Sequence, residues 1–318
     1  MRVGVTGATG FIGRRLCQSL TGQGSEVTAF SRDPGRARER LPQAVKLVAW
    51  NPLGGPPPTE ALDGLDAVVS LAGESISGGR WTDHQKRQIR ESRTIGTRNL
   101  VAGLANTPSR PRLLVSGSAI GYYGDRGNEL LDESSTPGTD FLGGVCVEWE
   151  SEANRAQALG IRIAIVRTGL VLGPGGGVLA PLLPLFRSGL GGTLGSGRQW
   201  MSWIHVDDEV GLIQWLLDRE LADRSNTDFP SGTGPHPGPI NATAPEPATN
   251  ASFTRELARV LGRPSLFVVP GIALKLALGE SSTLLLGSQR VYPRVALAGG
   301  YNYQFPDLRS ALAASINT

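Results

Sequence analysis

Lysine is almost absent from this chain: Lys46, Lys86 and Lys275 are the only lysines among its 31 basic residues. Any catalysis that needs a lysine therefore has three places to find one. Cysteine is scarcer still. Cys17 and Cys146 lack CxxC spacing, which excludes a disulfide framework or a thiolate metal site and leads us to expect a reducing, cytoplasmic setting. Cys17 falls inside an apolar helical pattern and reads as a small core residue. The charge sum is only +3, and no basic run is interleaved with aromatics. Nucleic acid is thus not an expected partner, although the pI is 9.1. Long apolar runs are missing too. The two most apolar stretches, 178–186 and 267–278, are broken by Pro181, Pro184, Pro270 and Lys275, so we expect no membrane span and no membrane partner. Because a strand pattern begins at Arg2, we expect no cleavable leader.

Glycine, by contrast, is plentiful, and its first cluster organises the rest. In RVGVTGATGFIG, residues 2–6 read as a buried strand, Gly7, Gly10 and Gly13 fall at GxxGxxG spacing, and Phe11, Ile12, Leu16 and Leu20 open an apolar helix. Gly7 permits a tight turn, Gly10 lets backbone approach a pyrophosphate, and Gly13 lets helix pack on strand. The unpaired N–H groups at the helix start then face the phosphates. About twenty residues on, the predicted strand 26–31 ends at Ser31 and Arg32, with Arg36 and Arg38 close behind. An acidic residue at such a strand end binds a free ribose 2′-OH, whereas a hydroxyl and a guanidinium suit a 2′-phosphate, so NADP is the expected cofactor. Asp33 is the one dissenting carboxylate.

Further strands are predicted at 45–50, 66–73, 112–116 and 162–168, with helices over 82–105 and 141–159. Six strands alternating with helices predict an α/β fold, a doubly wound parallel sheet of order 3-2-1-4-5-6. We expect the dinucleotide-binding part over 1–175, rejoined by 205–221, and a smaller substrate lobe with the C-terminal region over 176–318. The loop 51–58 reads as surface and 222–239 as a surface insertion; 241–243 reads as a short strand returning to sheet or lobe. The oligomeric state stays open between monomer and homodimer.

GATGFIG, DAVVSLAG, VSGSAIGYYG, VRTGLVLGPGGG and WIHVDDEV, in that order over residues 1–220, resemble the extended short-chain dehydrogenases, in their epimerase/dehydratase branch. The chain is similar to an atypical subgroup labelled epimerase family proteins. The resemblance implies NADP contacts at Gly7, Gly10, Phe11, Ile12, Ser31, Arg32, Leu71, Ala72, Arg93 and Val171, and a small-molecule substrate. Arg93 replaces the asparagine usual in the family and reads as a phosphate ligand.

The family's catalytic pattern is a Ser or Thr followed by YxxxK, in which tyrosine is the acid or base and lysine lowers its pKa. Ser118 matches the serine. Leu142 stands at the tyrosine position and Cys146 at the lysine position, and no tyrosine in the chain has a lysine four residues on. The proton must then come from Tyr122 or Tyr123 in the loop after the fifth strand, from His205, from Glu74, or from water. Asp207 and Asp208 are expected to cap the helix that follows His205. Arg198, Gln199 and Trp200 offer a carbohydrate or anion wall. Losing both tyrosine and lysine is also what a non-catalytic NADPH sensor would tolerate.

Overall fold

The computed structural model describes residues 1–77, 79–222 and 238–316. Short apolar segments, most fully buried in the central strands and more exposed at the Lys46–Ala49 edge, form the frame. They are β1 (Arg2–Thr6), β2 (Glu26–Ser31), β3 (Lys46–Ala49), β4 (Ala67–Ser70), β5 (Leu113–Ala119), β6 (Arg162–Thr168) and β7 (Gly238–Ala242). All seven run parallel in the order β3-β2-β1-β4-β5-β6-β7. The predicted six-strand order is reproduced, and the return strand joins the sheet edge beside β6. Pro239 is tolerated there because an edge strand has one side without ladder partners. Of the expected insertion at 222–239, residues 223–237 lie outside the described residues, while 238–239 belong to β7.

Helices α1 (Phe11–Gly22), α2 (Asp83–Ala105), α3 (Phe141–Asn154) and α4 (Val206–Ala222) cover the sheet. On one face Leu16, Cys17 and Leu20 of α1 meet Leu212, Ile213, Leu216 and Leu217 of α4 over Val3, Val5 and Val166. On the other, Leu100 and Leu104 of α2 and Ala153 of α3 pack over Val68, Leu114 and Ile163. Thr82 caps α2 by accepting from the Gln85 N–H, and Asp140 caps α3 by accepting from the Gly143 N–H at 2.7 Å. The helix expected over 141–159 tightens to a 3-10 turn at Arg155–Leu159.

A smaller lobe is built from Leu172, Leu179, Phe186 and Trp203 together with Phe253 and Leu257 of α5 (Asn250–Leu261) and Leu312 near the C-terminus. It is laced by two-stranded pairs: Leu170–Leu172 with Trp203–His205, Trp200–Met201 with Ala248–Thr249, and Gly192–Leu194 with Phe267–Val269.

Candidate functional site: a glycine turn and a dinucleotide-shaped cleft

The carboxyl edge of the sheet is cut by the turn between β1 and α1. Gly7 has φ +69, and a Cβ there would lie 2.7 Å from the Leu71 carbonyl carbon and 2.8 Å from the Ala72 nitrogen. Only glycine lets the chain pass the tip of β4 at that distance. A Cβ on Gly13 would sit 2.3 Å from the Gly7 carbonyl oxygen, so the third glycine fixes the helix against the turn. Gly10 is the N-cap of α1, with no side-chain hydrogen bond and no acid in the first turn. The first N–H groups of α1 therefore keep their positive end for an anion. The Phe11 ring turns into the loop after β6, where a Cβ on Gly176 would come within 2.2 Å of it, and Ile12 packs on the core. Both residues leave the turn its backbone N–H groups.

A cleft of about 480 Å³ opens from this turn along Ser31, Arg32, Arg36 and Arg40 to 51–53, and along Leu71–Glu74 to Gln88 and Ser92. Asp33 lines the same end, and its carboxylate caps the short helix Pro34–Arg38 by accepting from the Arg36 N–H at 3.0 Å. Arg38 is also withdrawn, donating to the carbonyls of Pro42, Gln43 and Val45. Arg40 takes its place at the cleft and was missed in the sequence, although Arg32, Arg36 and Arg40 repeat every four residues, a one-face spacing. The loop 51–58, expected to be mere surface, is a wall. Asn99 donates to the Pro52 carbonyl at 2.7 Å, and a Cβ on Gly96 would meet the Pro52 ring at 3.2 Å, so α2 sets the loop's course. Gly96 thus admits a loop rather than the sheet.

Arg93 of α2 lies behind the Gly73–Glu74 wall of the cleft, donating to the carbonyls of Glu74 and Ile89, both at 3.0 Å, with its guanidinium 5.2 Å from the Trp149 ring centre. Burial lowers its pKa, an effect that the nearby Cys146 and Glu74 oppose. Cys146 itself is buried, and its thiol is pushed up to about 11 by burial and then by Glu150. A neutral thiol stands at the lysine position with a guanidinium beside it. Leu142, at the tyrosine position, packs against Gly121.

Ser118 lies at the carboxyl end of β5 and donates to Glu150 at 2.6 Å. Glu150 receives a bidentate pair from Arg167, at 2.9 and 2.8 Å, and Arg167 donates on to the Tyr123 hydroxyl at 3.0 Å. That hydroxyl donates to Asn241 of β7 at 2.7 Å. Every member is buried. Tyr123 is wholly enclosed, with its pKa pushed up to about 12 by burial, so it belongs to the framework. Tyr122 is half-buried with its ring 3.4 Å from the Arg167 guanidinium carbon, which leaves it the more accessible tyrosine.

His205 does not join this group. It is 1% exposed, stacks on Phe305 with ring centres 4.1 Å apart, and caps α4 by accepting from the Asp207 N–H at 3.2 Å. Burial lowers its pKa. The cap expected of the aspartates is thus made by the imidazole, because Asp207 turns out to pair with Arg15 of α1 at 2.9 Å. Asp208 turns inward to accept from the N–H groups of Gln304 and Phe305 at 2.7 and 3.0 Å. Next to it Glu209 is fully buried, held by the Thr168 hydroxyl at 2.7 Å. Gln199 and Trp200 act within the lobe: Gln199 donates to the Leu194 and Leu285 carbonyls, and Trp200 donates to Asn128. Arg198 is exposed. Val171 accepts from the Val178 N–H and is half-buried beside β6.

A doubly wound parallel sheet crossed at its carboxyl edge by a glycine turn, with an uncapped helix start and an elongated cleft, defines a protein with a Rossmann-like dinucleotide-binding fold. The chain belongs to the NAD dependent epimerase/dehydratase family, whose model matches residues 3–230; a domain of unknown function (DUF1731) matches 269–315. It is similar to the epimerase family protein SDR39U1 homolog, chloroplastic, of Arabidopsis thaliana, at 39% identity over 99% of this chain and 86% of that protein. It is also similar to the epimerase family protein YfhF of Bacillus subtilis, at 36% identity over 99% of this chain and 98% of that one. Among solved structures, the human epimerase family protein SDR39U1 (isoform 2), crystallised with NADPH, superposes with a TM-score of 0.85 at 34% identity, covering 100% of this chain and 99% of that one.

Proposed function

We propose that this chain is an NADP(H)-dependent oxidoreductase or epimerase-like enzyme acting on a small carbonyl, alcohol or sugar-like substrate. One observation carries the reading. The cleft ends in a hydroxyl and three guanidinium groups (Ser31, Arg32, Arg36, Arg40), which outnumber Asp33, the single carboxylate at the same end, one of whose oxygens is already engaged as a helix cap. The NADPH in the human relative's crystal structure supports it. The residues present fit the cofactor: Gly7, Gly10 and Gly13 would admit the pyrophosphate, the N–H groups of Phe11 and Ile12 would face it, and Leu71, Ala72 and Val171 would flank the inner half. When bound, a nicotinamide exchanges hydride with a carbinol or carbonyl carbon.

What the chain adds is placement and proton handling. Arg93 would supply the positive charge that Cys146 does not, holding phosphate or ribose oxygen at the inner end. Ser118 donates its proton to Glu150, so its oxygen presents lone pairs and would hold a hydroxyl or water as donor. Tyr122 is the tyrosine with the better access to this edge, and Glu74 lines the same cleft. We assign the lobe from 176 onward to the substrate and the protein to the cytoplasm, where its two free, buried cysteines stay reduced.

Calorimetric titration tests the cofactor. NADPH should bind more tightly than NADH, and Arg32→Ala should cost roughly 1.5 to 3 kcal/mol for NADPH and little for NADH. Equal affinities in the unmutated protein sink the assignment. A second reading, a non-catalytic NADPH sensor, is favoured by Leu142 and Cys146 standing where tyrosine and lysine are expected. Tight NADPH binding with no oxidation by a broad carbonyl panel would select it.

A further inference from the structure

The lobe carries a surface that neither the cleft nor the core explains. Helix α6 (Gly271–Leu278), of sequence GIALKLAL, buries none of its residues; Ile272 and Leu276 are 71% and 73% exposed. The strand Phe267–Val269 just before it exposes both Phe267 and Val268, and Leu266 is 86% exposed. Leu185 and Leu190 extend the patch, since Gly189 approaches Pro264 and Gly192–Leu194 pairs with Phe267–Val269.

Two features say what covers it. The first is charge. Neither 179–206 nor 257–279 contains an aspartate or glutamate, yet they carry Arg187, Arg198, Arg259, Arg263 and Lys275. Arg187, Arg263 and Lys275 are exposed and have no ion pair among the described residues. A second copy of the chain would bring like charges together across a twofold contact, whereas an anionic partner would be attracted. The second is shape. Successive strand residues point to opposite faces, so Phe267 and Val268 face opposite ways, and α6 exposes 272, 273, 275, 276 and 277, more than one side of a helix. A protein partner covers one side; the acyl boundary of a lipid leaflet covers all of them.

We propose that this patch docks the protein on an anionic phospholipid surface, with Leu266, Phe267, Val268, Ile272 and Leu276 entering the headgroup–acyl boundary and Arg187, Arg263 and Lys275 meeting the phosphates. Apolar area and attraction to anionic lipid add in such contacts. The expectation of no membrane partner rested on the absence of spans, and a surface contact needs none. Among the described residues no helix is long and apolar enough to cross a membrane.

The test is vesicle co-sedimentation of the full chain. Phosphatidylcholine vesicles containing phosphatidylglycerol should pull the protein down in a salt-sensitive way, and phosphatidylcholine alone should do so at least about tenfold less well. Ile272→Ser with Leu276→Ser should weaken binding about tenfold or more, and Arg263→Glu with Lys275→Glu should abolish the preference for phosphatidylglycerol. NADPH titration of each variant checks folding, because these residues lie outside the cofactor cleft. No sedimentation with either vesicle, or sedimentation unchanged by both double variants, overturns the proposal. So does a dimer in vesicle-free sedimentation velocity that Ile272→Ser with Leu276→Ser dissolves, for then a second copy covers the patch.

Discussion

Glu209 gives the fold a dependence on pH that one substitution should remove. Its carboxyl, in the first turn of α4, is fully buried, takes one hydrogen bond from Thr168 on one oxygen, and has no partner for the other. Burial pushes its pKa up to about 8 from 4.5, opposed only by the Thr168 bond. The folded chain therefore keeps a proton that the unfolded chain releases, and unfolding is favoured as pH rises between these values. Each pH unit in that window costs about 1.4 kcal/mol of stability, full stability lying below the unfolded pKa and the loss ending near the folded one. Glu209→Gln keeps the acceptor for Thr168 and has no proton to lose. Relative to the unmutated protein it should gain about 3 kcal/mol between about pH 5 and pH 7. Burial also raises the pKa of Glu133 and Asp208, but these groups are present in both proteins and cancel in the difference. Urea midpoints followed by tryptophan fluorescence at several pH values give that difference directly. Two parallel curves would refute the reasoning, since they would mean Glu209 titrates alike in folded and unfolded chains.

Arg93→Ala should weaken NADPH and NADH by similar factors in calorimetry, because both carry the pyrophosphate and ribose; a loss confined to one would show the role is misassigned. Gly7→Ala places a side chain at positive φ and 2.7 Å from backbone, so NADPH binding should fall below detection while gentler Cys146→Ser leaves it unchanged. Arg167→Met strands the buried Glu150 and should cost about 3 to 5 kcal/mol in urea unfolding, whereas Glu150→Gln with Arg167→Met should recover part of that loss. Once turnover is found, Tyr122→Phe should slow a single turnover by about 10² or more if Tyr122 handles the proton. Tyr123→Phe should show mainly in stability.

The sheet order and the glycine turn were legible because both are local: a period-two apolar run and a triplet spacing survive without knowledge of the third dimension. So was the place of Ser31 and Arg32 at the end of β2, where they line the cleft. Arg40 was hidden because Arg38, two residues away, has the same chemistry, and only tertiary contacts to the 42–45 carbonyls reveal which guanidinium is committed elsewhere. That His205 rather than an aspartate caps α4 was hidden for a similar reason. Any of the three can cap a helix, and the choice falls to whichever is not claimed by a distant partner, here Arg15 for Asp207 and the chain around 304 for Asp208. The Ser118–Glu150–Arg167–Tyr123–Asn241 chain joins three strands, a helix and a 3-10 turn, and nothing in any one segment announces it.

The grip of Asp208 on Gln304 and Phe305, backed by the Tyr301 hydroxyl on the Asp208 carbonyl at 2.9 Å, has an evolutionary and practical reach. Two sequence families meet in this chain, one ending at 230 and the other starting at 269, as if a module had been appended. The carboxylate makes them a single heritable unit. A gene fragment ending before 269 would encode a helix start whose buried carboxyl has lost the Gln304 and Phe305 N–H groups, so the fragment should be less stable than the whole chain.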